Sequence, residues 1–393
     1  MDTRSNANIL FFAPSVGGGL AEYVFYQAEA LEKAGAKVTC LTSPSFLNGR
    51  AAKFERIVCL SDPPLEEGSR LLKKIKMVWH LAANQMVLAW QVWKHRPDLV
   101  LLDSYIEYLS PLWVWPHWIL AKFCRIRYAA NLHDPVRNYK VGPDWWHKLS
   151  VWLAYWPLDF VLVHDKLPEP SPVPARVRVV QVPHGLFEIS GTAPDRDSVR
   201  NEWGVRDGQK VFLSFGFVRD GKNLDLAIRA LVQVPEAFLV VAGSVASSKD
   251  RPFSFYRELA VELGVADRCR FFEGFVADDD LGKYFAGTDF VLLTYASSFH
   301  SQSGVLNIAA RARKPVLASA SPSALIQSVN NYSMGIAVAP DSSDAVVAGM
   351  RCLLAAPPQP RWQDYEATAA WDANARGVLR AAGLENSTSK NPS

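Results

Sequence analysis

Cysteine is scarce and scattered: Cys40, Cys59, Cys124, Cys269 and Cys352 are an odd five with no CxxC pair among them. A disulfide framework and a structural zinc site are thereby excluded, and a reducing compartment fits. Charge of one sign is lacking too. Lys and Arg total 42 against 39 Asp and Glu, a net charge of +3, which is no signature of a nucleic-acid binder. Long apolar runs are missing. The longest, Tyr108–Ala121 and Val151–Val163, fall short of the roughly 20 residues that span a bilayer, and each contains proline. The opening MDTRSNANILFFAP has only a short apolar run before Pro14, too little for a signal-peptide core. The expectation is a soluble, cytoplasmic chain. With 393 residues, 49% hydrophobic and 21% charged, disorder, collagen and coiled coil are excluded, and the length predicts two domains.

What is abundant is tryptophan, in one place. Ten of the 13 lie between Trp79 and Trp156, and residues 70–127 carry a surplus of six positive charges, with Lys73, Lys74 and Lys76 clustered. A basic, aromatic region of this kind predicts docking on an anionic membrane surface, since indole suits the interface and lysine the anionic leaflet. The alternative is that most of these tryptophans are core. Trp113 and Trp115 lie two apart, so a strand would turn both to one side.

The rest reads as two rounds of alternating strand and helix. Ile9–Phe12 is a strand leading to Gly17-Gly18-Gly19; a helix follows over Ala21–Lys33, closed by Gly35, and Val38–Thr42 is the next strand. Leu99–Leu102, Tyr128–Leu132 and Phe160–His164 are further strands. After a turn-rich stretch, Val211–Phe215 opens the second round, with a helix over Leu224–Val232 and strands at Ala237–Ala242, Arg270–Phe272, Phe290–Thr294, Pro315–Ala318 and Gly335–Val338. The fold class is α/β: two doubly wound Rossmann-like domains. The boundaries are 1–188 for the first domain, 189–208 for a linker, 209–360 for the second domain, 361–384 for closing helices and 385–393 for a disordered tail.

Three loops carry chemistry. Gly17–Gly19 stands between strand and helix, where glycines admit a ligand to the backbone; the dinucleotide spacing is met at Gly19 but fails at Glu22, and no lysine is placed as in a P-loop. Gly216, Arg219 and Lys222 follow a strand's carboxyl end, where open α/β sheets bind ligands, and the two cations could clamp a diphosphate. The run Phe299–Val305 starts a helix with small and polar residues, leaving amides at Ser303, Gly304 and Val305 for phosphate oxygens, or forming an ordinary serine cap.

In order and spacing these blocks resemble the bacterial family 4 glycosyltransferases. The resemblance covers nearly the whole chain: GGGLAEYVFYQAEALEKAGAKVTCLT, GFVRDGKNLDLAIRAL, VVAGS with Gly243, RFFEGFVADDDLGKYFAGTDFVLLTY and SGVLNIAARARKPVLAS. It implies the GT-B fold, with the two domains facing across a cleft, and sugar transfer from a nucleotide diphosphate to a hydroxyl with retention. Implied donor-side residues are Gly18, Gly19, Gly216, Arg219, Lys222, Gly243, Ser303, Gly304 and Val305. On the acceptor side, His133 and Asp134 follow a strand; Glu22, Asp103 and Glu107 are further contacts or solvated charges. His133, Arg219 and Lys222 are the catalytic candidates, and His184 in VPHGL is a hinge-packing histidine or a site residue. Most of the family carries two glutamates eight positions apart in the last block; here the positions hold His300 and Ile308, as in a subset lacking the pair.

The resemblance further implies no metal and no cofactor beyond the nucleotide sugar as co-substrate. The acceptor expected is lipid-linked or a glycan, in bacterial exopolysaccharide or other surface-glycan synthesis, with the chain peripheral on the inner membrane face and no nucleic-acid partner. Pro360–Ala382, with Trp362 and Trp371, resembles the family's terminal helices, which pack back across the domain junction. Two other readings differ in class: a sugar-nucleotide epimerase, for which the second domain lacks the carboxylate and histidine set, and a silent member acting as a binding or assembly partner, which the lost glutamate pair favours and the retained cations oppose.

Overall fold

A computed structural model describes residues 7–64, 69–103, 107–133, 140, 142–164, 167, 171–189, 194–247, 249–300 and 302–385. They divide into two compact units, one reaching Gly185 and resuming at Ala369, the other running from Leu186 to Thr368.

The first unit runs β1 (Asn8–Ala13), α1 (Gly18–Lys33), β2 (Lys37–Thr42), β3 (Glu55–Val58), α2 (Arg70–His95), β4 (Leu99–Leu102), α3 (Val114–Cys124), β5 (Arg127–Asn131), α4 (Asp144–Ala154), β6 (Phe160–Val163) and β7 (Arg178–Gln181). Its seven strands pair in parallel in the order β3-β2-β1-β4-β5-β6-β7. Central parallel strands are covered on both faces and need apolar side chains throughout, which NILFFA, LVLL and FVLV supply. Leu10 and Phe12 enter one core with Leu88 of α2, Val114 of α3 and Leu153 of α4. The alternating Ile9 and Phe11, also buried, serve the opposite face.

The second unit runs α5 (Arg196–Trp203), β8 (Lys210–Phe215), α6 (Leu224–Ala230), β9 (Ala237–Gly243), α7 (Phe253–Glu262), β10 (Cys269–Glu273), α8 (Asp278–Gly287), β11 (Phe290–Leu293), α9 (Gly304–Arg311), β12 (Val316–Ser319), α10 (Ala324–Asn331), β13 (Gly335–Val338), α11 (Ser343–Ala355) and α12 (Trp362–Thr368). Its sheet is again parallel, in the order β10-β9-β8-β11-β12-β13. A last helix, α13 (Trp371–Ala382), lies in the first unit and packs along α1. Both sheets reverse their strand order beside the first strand, at β1/β4 and at β8/β11. Open α/β sheets bind ligands at the carboxyl ends of such strands.

Several expectations need correction. Residues 189–208 are not all linker, because α5 belongs to the second unit: Asp195 caps it by accepting from Ser198 N at 2.8 Å, and Arg200 pairs with Asp289 at 2.7 Å. The closing helices divide between the units, α12 falling in the second and α13 in the first. Trp113 and Trp115 are not in a strand. Pro116 sits in the first turn of α3, where a missing N–H costs nothing; Trp113 just before the helix is 2% exposed while Trp115 is 47% exposed. The tail beyond 385 lies outside the described residues.

Candidate functional site

In the second unit the switch point between β8 and β11 gathers three of the expected pieces. Gly216 follows β8 with φ +83°, and a Cβ there would come within 3.7 Å of Lys222 Nζ and 3.8 Å of Val305 Cγ2, so loop, lysine and helix start meet at one place. Lys222 Nζ donates to Phe215 O at 2.5 Å. The backbone around Lys222 is pinned as well: Thr294 Oγ1 donates to Lys222 O at 3.1 Å, and Ala296 N to Gly221 O at 2.8 Å. Burial, reinforced by the neighbouring positive Arg219, pushes the Lys222 ammonium down to about 7. Among the described residues neither cation has a carboxylate partner. Two cations held close without a counter-charge form a site for an anion.

The start of α9 completes it. Ser303 occupies the cap position, yet its side chain does not cap; its hydroxyl bonds the Tyr295 hydroxyl at 2.9 Å instead. The first amides of α9, from Gly304 and Val305, thus have no cap from the Ser303 side chain, and a helix N-terminus of this kind favours an anion. Gly243 has a packing reason: its φ is +151° and a Cβ would fall 2.0 Å from Gly216 O, so it lets the Gly216 turn lie against β9. At the positions of the family's glutamates, His300 Nδ1 bonds Pro322 O at 3.1 Å and Ile308 is half-buried.

The first unit builds something different at the same topological place. Gly17 caps α1 without a side-chain bond, and a Cβ at Gly17 or Gly19 would meet nothing within 4 Å; Gly18, the first helical residue, has φ +73°. The loop is open rather than packed. Asp103 follows β4 and His133 follows β5, and the structure joins them: His133 Nε2 lies 2.9 Å from Asp103 Oδ1. The carboxylate is 1% exposed and, among the described residues, its Oδ2 has no partner. Because a carboxylate accepts, Nε2 carries a proton in this pair and the carboxylate orients the ring.

Around this pair stands an aromatic shell that the sequence did not announce. Tyr23 meets His133 edge-on with centroids 4.6 Å apart, His164 lies 5.5 Å from His133, and His184 lies 4.9 Å from His164. Burial keeps His164 well below the usual imidazole range and pushes His184 down to about 4, so both are neutral at pH 7. His184 is therefore packed with the site, its Nδ1 bonded to Gly185 O at 2.9 Å. The shell is tied to the last helix. Asn374 of α13 donates to Tyr23 Oη and accepts from Gln27, each at 2.8 Å, while Asn131 donates to Gln27 at 2.8 Å. Trp371 stacks on Tyr26 and fills the space a Cβ at Gly185 would need. No local signal in the sequence could link residues 27, 131 and 374. Tyr23, one turn after the glycines, was within reach.

Other acceptor-side candidates are otherwise engaged. Glu22 pairs with Arg50 at 2.9 Å. Glu107 is buried and accepts from the Tyr155 hydroxyl at 2.8 Å, a bond inside the unit. Asp134 and Ser301 lie outside the described residues. No group of three or more His, Cys, Asp or Glu among the described residues is arranged to hold a metal ion.

Comparison with known proteins gives this geometry its class. Residues 195–376 match the family Glycosyl transferases group 1. Over 363 residues, 86% of each chain, the sequence is 23% identical to an uncharacterized glycosyltransferase of Methanocaldococcus jannaschii. Among solved structures, HepE of Anabaena in complex with UDP and glucose superposes with a TM-score of 0.65 at 19% identity, covering 97% of this chain and 96% of that one. Sucrose-phosphate synthase of Thermosynechococcus elongatus gives 0.66 at 19% identity, over 97% and 95%. The chain has the two-domain GT-B fold of these solved structures, and the group 1 model that residues 195–376 match makes it a glycosyltransferase.

Proposed function

We propose that the chain transfers a sugar from a nucleoside-diphosphate donor, with retention, to a hydroxyl of a lipid-linked or glycan acceptor in surface-glycan synthesis. The observation that carries this reading is the pair of cations Lys222 and Arg219, without carboxylate partners among the described residues, beside the uncapped start of α9. Charge is the difficulty of the reaction: a diphosphate departs as the sugar ring becomes cationic. Arg219, Lys222 and the amides of Gly304 and Val305 neutralise the leaving group, an interaction that grows toward the transition state. On the acceptor side, Asp103 holds His133 so that Nδ1 receives a sugar hydroxyl, and the neutral His164 and His184 line the approach without adding charge. HepE binds UDP, so a uridine donor is the first to try.

The test is a panel of nucleotide sugars scored by thermal stabilisation and then by turnover. A ligand that binds the folded state alone raises its melting temperature. The expected result is stabilisation by one nucleotide sugar, weakening as pH rises above about 7, where the free Lys222 loses its proton. A lysine that must be charged in the complex costs up to about tenfold in affinity per pH unit above that point. Lys222→Arg, which stays charged, flattens the dependence. No stabilisation by any nucleotide sugar contradicts the proposal.

A further inference from the structure

We propose that the outer face of α2, α3 and α4 docks on an anionic lipid bilayer, an inference that goes beyond the transfer reaction and needs none of its chemistry. The face is built inside out. In the first part of α2 the buried side chains are polar: Asn84 accepts from Ser61 N at 2.9 Å, and His80 Nδ1 lies 2.7 Å from Ser61 Oγ. One line of side chains turned to solvent is apolar: Leu72, Ile75, Trp79, Met86, Trp90 and Trp93, with Trp79 76% exposed. Their spacing of three, four and seven residues makes one stripe along the helix, which at 1.5 Å per residue runs for about 39 Å. Water-facing helices show the opposite arrangement.

The stripe does not stand alone. α2 packs against α3, whose Trp115, Ile119 and Phe123 are exposed, and α4 exposes Trp145 and Trp152. Trp156 joins the last two helices, with centroids 5.6 Å from Trp115 and 4.7 Å from Trp152. Contiguous apolar surface on this scale marks a place of contact.

Charge selects the occupant. Lys74, Lys76 and Lys94 on α2, Lys122 on α3, Arg125 beyond it and Lys148 on α4 are exposed around the apolar side chains. Among the described residues, Asp144 is the one acid on these three helices, at the start of α4 and paired with Lys140 at 3.0 Å. A second copy would set two cationic faces against each other, which like charge disfavours. An anionic bilayer satisfies both halves: indole rings at the headgroup level, lysines toward the lipid charge. No described helix is long and apolar enough to cross a membrane, so the contact lies in the interface plane.

Flotation of the full chain with phosphatidylcholine vesicles, with and without phosphatidylglycerol, tests it. The expected result is co-flotation with the anionic vesicles at low salt, reduced by high salt, with a blue-shifted tryptophan emission. Trp79→Ser combined with Trp90→Ser and Trp93→Ser removes only exposed rings, so melting stays near wild type while vesicle binding falls at least about tenfold. Lys74→Glu with Lys76→Glu lowers it by about tenfold on anionic vesicles alone. Wild-type protein left in solution at low salt, or the triple variant floating as well as wild type, overturns the proposal. So does a lipid-free dimer dispersed by the tryptophan substitutions without vesicle binding, which assigns the face to a second copy. A protein that binds nucleotide sugar and ignores vesicles sinks this inference and leaves the transfer reading standing.

Discussion

The two units lay out their central strands in the same order and place their chemistry at the same topological point, beyond the carboxyl ends next to the reversal of strand order. What they place there differs. The second unit offers excess positive charge: Lys222, Arg219 and the free amides of α9, on backbone pinned by Thr294 and Ala296. The first offers a buried carboxylate bonded to one histidine and two neutral histidines around a tyrosine. Topology fixes where a ligand goes, while the local side chains decide which ligand it is. The units differ outside the site too, since helices over one sheet face of the first turn tryptophan outward.

The proposed division into a cationic donor side and a histidine–carboxylate acceptor side can be broken one residue at a time. Lys222→Ala has the largest expected effect. Turnover falls by about 10²-fold or more, as for loss of one preorganised charge contact, and unchanged steady-state rates refute the assignment. Gly243→Ala comes next. Its Cβ would fall 2.0 Å from Gly216 O, so the substitution costs the second unit about 1–3 kcal/mol by overpacking, read by denaturant unfolding, and displaces the donor loop. Asp103→Asn leaves the fold and lowers kcat by about tenfold, because the amide holds His133 less firmly in its orientation; a raised donor KM with unchanged kcat would move Asp103 to the donor side. The smallest effect is Gly19→Ala, where no atom lies within 4 Å of the new Cβ. Stability rises by about 0.5–1 kcal/mol from helix propensity, so any loss of turnover there reports on ligand contact alone.

The interior of both sheets was legible because NILFFA, LVLL, AFLVVAG and FVLL are continuous apolar runs, each found to within two residues. The strands that escaped, β3 and β7, lie at the two ends of the first sheet and have no buried position, so no apolar run marks them. The loop at Gly216 and the start of α9 could be singled out for a related reason: glycines and small residues stand at fixed offsets from a strand end. His133 and His184 could be named singly, but their shell with Tyr23, His164 and Trp371 could not, because only the folded chain brings these residues together. The Arg50 partner of Glu22 was out of reach too, since a carboxylate near a glycine loop says nothing of the cation that pairs with it.

The central claim is that the second unit alone holds the donor diphosphate, and calorimetric titration tests it most directly. The nucleotide that stabilises the wild type best is titrated into wild type, Lys222→Met and Asp103→Asn at pH 6.5. The account predicts at least about tenfold weaker binding for Lys222→Met, the loss of one charge-assisted contact, and wild-type affinity for Asp103→Asn. Wild-type affinity in Lys222→Met, with the weakening in Asp103→Asn instead, would contradict it.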